Sequence, residues 1–170
     1  MGFCEVADVA EFLQVDIPSE KAASAQSAID AATAEIQNYC RQTLSLVEND
    51  EISLDVAPGQ TRLLLPELPV VAVQAVTEAG RPLQEGTDYV LGQHGMLHRI
   101  GRPWAAGIQN VTVTYSHGYE TLPGTLVDIC KRSAARAYQA GLRAEAQEGV
   151  PGVQAESLGD HSVTYGAEGA

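Results

Sequence analysis

The chain has 170 residues, of which ten are Lys or Arg and 22 are Asp or Glu, a formal net charge of −12. That length suits one globular domain with appendages, and 45% hydrophobic against 19% charged residues excludes a disordered polypeptide. The acidic balance excludes a general phosphate-binding surface built on counterion release and disfavours anionic membranes, whereas an acidic wall lets DNA slide past without sticking.

No apolar run approaches the ~18 to 20 residues that a bilayer span needs, and the first dozen residues carry acids where a signal peptide starts basic. Assembly inside a cell is the expectation. Cys4, Cys40 and Cys130 are odd in number and widely spaced, with no CxxC pair, and read as reduced, mostly packed thiols.

In chain order, Val6, Val9, Ala10 and Leu13 form the stripe of a short amphipathic helix. Pro18 ends the following link, and Ser19 is placed to cap a second helix that carries Ala22, Ala25, Ile29, Ala32, Ile36 and Tyr39 in steps of three and four as far as Gln42. Its stripe is mostly alanine, so a partner helix can approach its backbone closely, within the chain or between chains.

From Glu51 to Tyr115 the period becomes two, with Gly and Pro as punctuation. Ile52, Leu54 and Val56 alternate, as do Val71, Val73 and Ala75, and Glu78-Ala79-Gly80-Arg81 reads as a hairpin turn. Tyr89–Leu91 leads through His94-Gly95 into Met96-Leu97, a second turn. Val111, Val113 and Tyr115 share one face of a strand whose other face carries Thr112 and Thr114. Together these predict a small antiparallel sheet.

After Pro123, Leu126, Ile129, Cys130, Ala134, Ala137 and Tyr138 restore the helical stripe to about Leu142, and this third helix is expected to pack on the alanine face of the second. The fold class is α+β: a three-helix core of two N-terminal helices and one long C-terminal helix, an inserted antiparallel sheet, and an extended C-terminal tail. The divisions are 1–50, 51–119, 120–148 and 149–170. In the tail, Ser162-Val163-Thr164-Tyr165 is strand-like with no evident partner in its own domain, so it is free to extend the sheet of a neighbouring subunit.

Little in the chain points to chemistry. His94 and His98 are separated by Gly95 and a strand-like pair, and no third metal ligand stands at a recognisable spacing. Asp160-His161-Ser162 are consecutive, so an extended chain points them to opposite sides and they cannot act as a triad. Glu48, Asp50, Glu51 and Asp55 read as a solvated loop before they read as a calcium site, and Trp104 as packing beneath its Gly- and Pro-rich loop. A hydrolase using His117 with Asp128 or Glu120 is the weakest alternative. No metal or other cofactor is expected, and no catalytic residue is assigned.

Several segments resemble one family. Leu68-Pro69-Val70-Val71-Ala72-Val73, Gly86-Thr87-Asp88-Tyr89, Val111-Thr112-Val113-Thr114-Tyr115-Ser116-His117-Gly118-Tyr119 with Pro123 opening the last helix, and Glu156-Ser157-Leu158-Gly159-Asp160-His161-Ser162-Val163-Thr164-Tyr165 are similar to the head-to-tail connector (adaptor) proteins of long-tailed bacteriophages and gene transfer agents. The resemblance runs from about Val6 to Tyr165. It implies a structural, non-enzymatic virion protein: a homo-oligomeric ring of about twelve copies, seated beneath the portal protein in the neck, holding the next neck or tail protein (the stopper), with genomic DNA passing through its lumen without sequence-specific contact. Localisation is then the virion, after assembly in the host cytoplasm, with no membrane partner. Within that picture the expected subunit or portal interface is Ala25, Ile29 and Ala32 of the small-residue helix face together with Ser157, Leu158, Asp160, Ser162, Val163, Thr164 and Tyr165 of the tail. The alternatives are another neck part, stopper or tail terminator, and an acidic carbohydrate- or calcium-binding surface module.

Overall fold

The computed structural model describes residues 2–148, 155–158 and 161–164. Its three helices are α1 (Val6–Leu13), α2 (Ser19–Cys40) and α3 (Gly124–Glu148). The Glu5 amide donates to the Asp8 carboxylate at 2.8 Å, which closes the first turn of α1. That bond, and then the Lys131 ammonium, hold the Asp8 carboxyl below its ordinary range against a smaller opposing effect of burial. The 3.2 Å pair of Asp8 with Lys131 ties α1 to α3.

Ser19 does not cap α2. Pro18 occupies the cap position in extended backbone, φ −61° and ψ 151°, and no side chain caps the helix. The ring of Pro18 presets its own φ, so the chain enters the helix with Ser19 already in the first turn. At the other end Arg41 takes the left-handed region, φ 54°, and the Gln42 amide donates to the Gln37 carbonyl at 3.3 Å, ending α2 at Cys40.

As the alanine stripe predicts, α3 packs on α2. Ala25, Ala28, Ile29 and Ala32 meet Cys130, Ala134, Ala135 and Tyr138, with Phe3, Cys4, Val9 and Leu44 completing one core. Small residues on both helices permit close approach, and Thr33 reaches both the Phe3 amide, at 3.1 Å, and the Cys130 sulfur, at 3.6 Å. Cys4 and Cys130 are buried free thiols with sulfurs 3.4 Å apart, while Cys40 is exposed. Burial, then the adjoining Cys130 sulfur, pushes the Cys4 thiol up to about 12.

The β region contains two sheets where one was expected. β1 (Val47–Val56), β7 (Gly107–His117), β3 (Val70–Glu78) and β4 (Arg81–Leu83) form a four-stranded antiparallel sheet in that order. β2 (Arg62–Leu64), β6 (Met96–Arg99) and β5 (Tyr89–Leu91) form a three-stranded one. The second sheet follows from the alternation in the first: Val56, Val76, Val111, Val113 and Tyr115 need an apolar cover, which Leu63, Leu65, Leu83, Tyr89, Leu97 and Trp104 supply. Ala79 (φ 51°) and Gly80 (φ 75°) both adopt positive φ, the primed turn that joins β3 to β4.

A further difference lies in the acidic run from Glu48. It is strand, not loop: β1 starts at Val47, and a bulge at Asn49 (φ 54°) restores its register against β7. Finally, β8 (Ala155–Leu158) and β9 (His161–Thr164) pair with each other as an antiparallel hairpin.

Helical and β halves meet where β7 ends. The Gly118 amide donates to the Pro69 carbonyl at 2.9 Å, the Tyr119 amide to Leu44 at 2.8 Å, and the Leu46 amide to Tyr119 at 3.1 Å. Gly118 has φ +90°, and a β-carbon there would lie 2.3 Å from the Ser45 carbonyl oxygen and 2.7 Å from its carbon. Only glycine fits this crossing. Gly118→Ala combines backbone strain with a backbone clash and is expected to cost about 3 kcal/mol or more in urea unfolding; a loss under about 1 kcal/mol would contradict the crossing described. Alkylation of the native protein is expected to modify Cys40 and to spare Cys4 and Cys130 until denaturant is added, as mass mapping of labelled peptides would show.

Candidate functional site

The residues expected at an interface divide into two groups. Ala25, Ile29 and Ala32 are buried in the chain's own helical core, so they do not form an exposed interface surface of the folded chain. The alanine stripe is satisfied by α3, and its small side chains are what let the two helices nest.

Ser157 and Leu158 lie in β8, and Ser162, Val163 and Thr164 in β9, paired Ser157 with Ser162 and Glu156 with Val163. The strand expected to lack a local partner therefore has one. The first arm, Ala155-Glu156-Ser157-Leu158, has no period-two alternation, so only the second arm is legible in the sequence. Asp160 and Tyr165 lie outside the described residues.

Histidine and acid chemistry is dispersed. His117, buried, places Nε2 3.2 Å from Asp50 Oδ2, and its ring sits 5.0 Å from that of Tyr115, so its partner is neither Asp128 nor Glu120. His94 lines a cleft of about 300 Å³ with Gln42, Pro69 and Tyr119. Glu48, Glu51 and Asp55 are exposed along β1, where Asp55 accepts the Gln109 amide at 2.7 Å. Among the described residues, no group of three His, Cys, Asp or Glu side chains is placed to hold a metal ion, and no helix is long and apolar enough to cross a membrane.

The densest polar cluster is one that residue patterns do not announce. Glu78, buried at the end of β3, accepts the Ala105 amide at 2.8 Å and pairs with Arg102 and, at 3.3 Å, with Arg99. Arg99 also contacts Asp88 at 3.4 Å and lies 5.4 Å from the ring centre of Trp104, which is buried under its loop as expected. Burial alone would raise the Glu78 carboxyl, but the Ala105 amide and then the Arg102 and Arg99 guanidiniums outweigh it and hold it below the usual carboxylate range. In sequence these residues read only as a turn and a loop, and nothing in their spacing links them.

The described residues thus present a set of polar contacts that hold segments of the fold together. In comparison with known proteins, the family model "head completion protein" matches residues 3–130. The chain belongs to the head completion protein family. The match runs through both sheets and the start of α3 and stops at Cys130, so the rest of α3 and the C-terminal hairpin lie beyond it. Among solved structures, the fold is similar to that of a chain in the neck of an empty GTA particle computed with C6 symmetry, with a TM-score of 0.58 and 20% identity over 79% of this chain and 77% of that one. Comparison with curated proteins finds no significant match.

Within this head completion protein fold, Glu78 locks the Arg102–Ala105 loop onto the end of β3. Its depressed carboxyl contributes stability that is present above the ordinary carboxylate range and lost as pH falls through the folded-state value. Glu78→Gln leaves buried Arg99 with Asp88 alone, at 3.4 Å, and is expected to cost about 2–4 kcal/mol at neutral pH. The gap to the parent should narrow in acid; urea unfolding at both pH values checks it, and an equal gap at both would contradict the ionic role.

Proposed function

We propose that this chain is a structural subunit of the neck of a tailed-phage-like particle, forming the connector ring beneath the portal and joining head to tail. Membership of the head completion protein family, over residues 3–130, carries the reading. The shared fold with a chain from a GTA particle neck supports it, since that particle is described with sixfold symmetry and a ring of about twelve copies is compatible with a sixfold axis. The protein then acts by assembly and holds no catalytic role.

Two physical features fit. A net charge of −12 limits adhesion to DNA threading through a ring lumen. The C-terminal hairpin, two strands of four residues each, is too small to be stable in water without something to pack on. In this reading Ser157, Leu158, Asp160, Ser162, Val163, Thr164 and Tyr165 engage the portal or the adjacent subunit, and the stopper binds the opposite side of the ring. The particle assembles in the host cytoplasm, and the ring remains in the virion.

Removing the gene from a particle-producing strain is expected to yield heads that lack tails and leak DNA, counted by electron microscopy. Tailed particles at the parental yield would overturn the assignment.

A further inference from the structure

We propose that the exposed face of α3 docks on the outer face of the four-stranded sheet of a second copy of this chain. The inference rests on the ring reading above and names the two surfaces that close the ring.

The donor surface is basic on an acidic protein. Arg132, Arg136 and Arg143 fall within about 40° of one another around α3, at 3.6 residues per turn. All three are exposed, and none makes an ion pair among the described residues. Apolar groups flank them. Phe12 is 51% exposed and lines, with Arg132 and Arg136, a groove of about 280 Å³ between α1 and α3, and Ile129 is 46% exposed one turn before Arg132. A soluble helix face with unpaired guanidiniums beside open aromatic and aliphatic side chains has the composition of an interface.

Its complement lies on the other half of the molecule. The outer face of the four-stranded sheet carries Glu51, Ser53 and Asp55 from β1, Thr112 and Thr114 from β7, and Ala75 and Thr77 from β3, set side by side by the pairings Glu51–Thr114–Ala75 and Ser53–Thr112–Thr77. Those side chains are short, so a helix can lie close to the sheet. Glu51 and Asp55 are exposed and make no ion pair among the described residues. Ile108, at the bulged start of β7 beside Asp55, is 87% exposed. The Arg132–Arg143 stripe is about 16 Å long at 1.5 Å per residue, and the Glu51–Asp55 row about 13 Å at 3.3 Å per residue.

A closed ring requires two different, mutually complementary surfaces on each copy, so that every subunit both gives and receives the same contact. One chain here carries both, in opposite charge and on separate halves. Opposed charge then sets register and rejects the wrong face more than it adds affinity.

The test is charge reversal in the particle-producing strain lacking the gene, with tailed particles counted. Arg132→Glu with Arg136→Glu is expected to lower the tailed yield at least tenfold, and Glu51→Lys with Asp55→Lys to do the same. Placing all four changes in one chain, or co-expressing the two doubly substituted chains, is expected to restore the yield, because each acidic face again meets a basic one. Asp55 accepts the Gln109 amide, so Glu51→Lys alone serves as the second variant, and thermal unfolding of each purified chain reports its folding.

Normal tailing by folded singly reversed chains, or loss that neither combination restores, would overturn this interface while leaving the ring reading intact. Full tailing in the strain without the gene would overturn the ring reading itself. Intact tailing with DNA lost from the heads would assign the arginines to phosphate contact and overturn the docking.

Discussion

The structure depends on the crossing at Gly118. Two backbone hydrogen bonds, from Tyr119 to Leu44 and from Leu46 to Tyr119, join the end of the longest strand to the segment leaving α2, and a third, from Gly118 to Pro69, ties it to the chain entering β3. Each half has its own core, one of alanines, cysteines and a few large side chains, the other of β-branched and aromatic residues. Without the crossing those cores would be two small bodies, each short of the size at which burial comfortably offsets chain entropy. With it, β7 serves as the central pairing strand of its sheet and as the bracket onto the helices.

Polar locks repeat this arrangement elsewhere. Asp8 with Lys131 holds α1 on α3, Asp50 meets His117 beside the crossing, and Glu78 gathers Arg99, Arg102 and the Ala105 amide at the far end of β3. The first joins two helices, the second two neighbouring strands and the third a loop to a strand end, and the buried one, at Glu78, fixes geometry more than it adds stability.

The small-residue face of α2 reads in sequence both as the seat of α3 and as an oligomer interface, and Ala25, Ile29 and Ala32 are covered by α3 of the same chain. Periodicity reports that a face is buried and says nothing about which chain buries it. The arginines of α3 acquire their meaning as a stripe from the fold, which sets Phe12 of α1 beside Arg132 and Arg136.

The residue pattern by itself determined the α+β class, the three helices with their order, the hairpin at Ala79-Gly80, and the inward face of Val111, Val113 and Tyr115. Those are local: a period of 3.6 or two and a glycine after a strand are legible within a dozen residues. Tertiary structure alone decided that the β segment forms two sheets, that β1 starts at Val47, ahead of the alternation of Ile52, Leu54 and Val56, that β8 pairs with β9, and that Glu78 meets arginines more than twenty residues away. Each of these is a pairing between segments distant in the chain or hidden from one-stripe counting, and the partner is selected by which surfaces remain uncovered when the cores close, a quantity no short window of sequence contains.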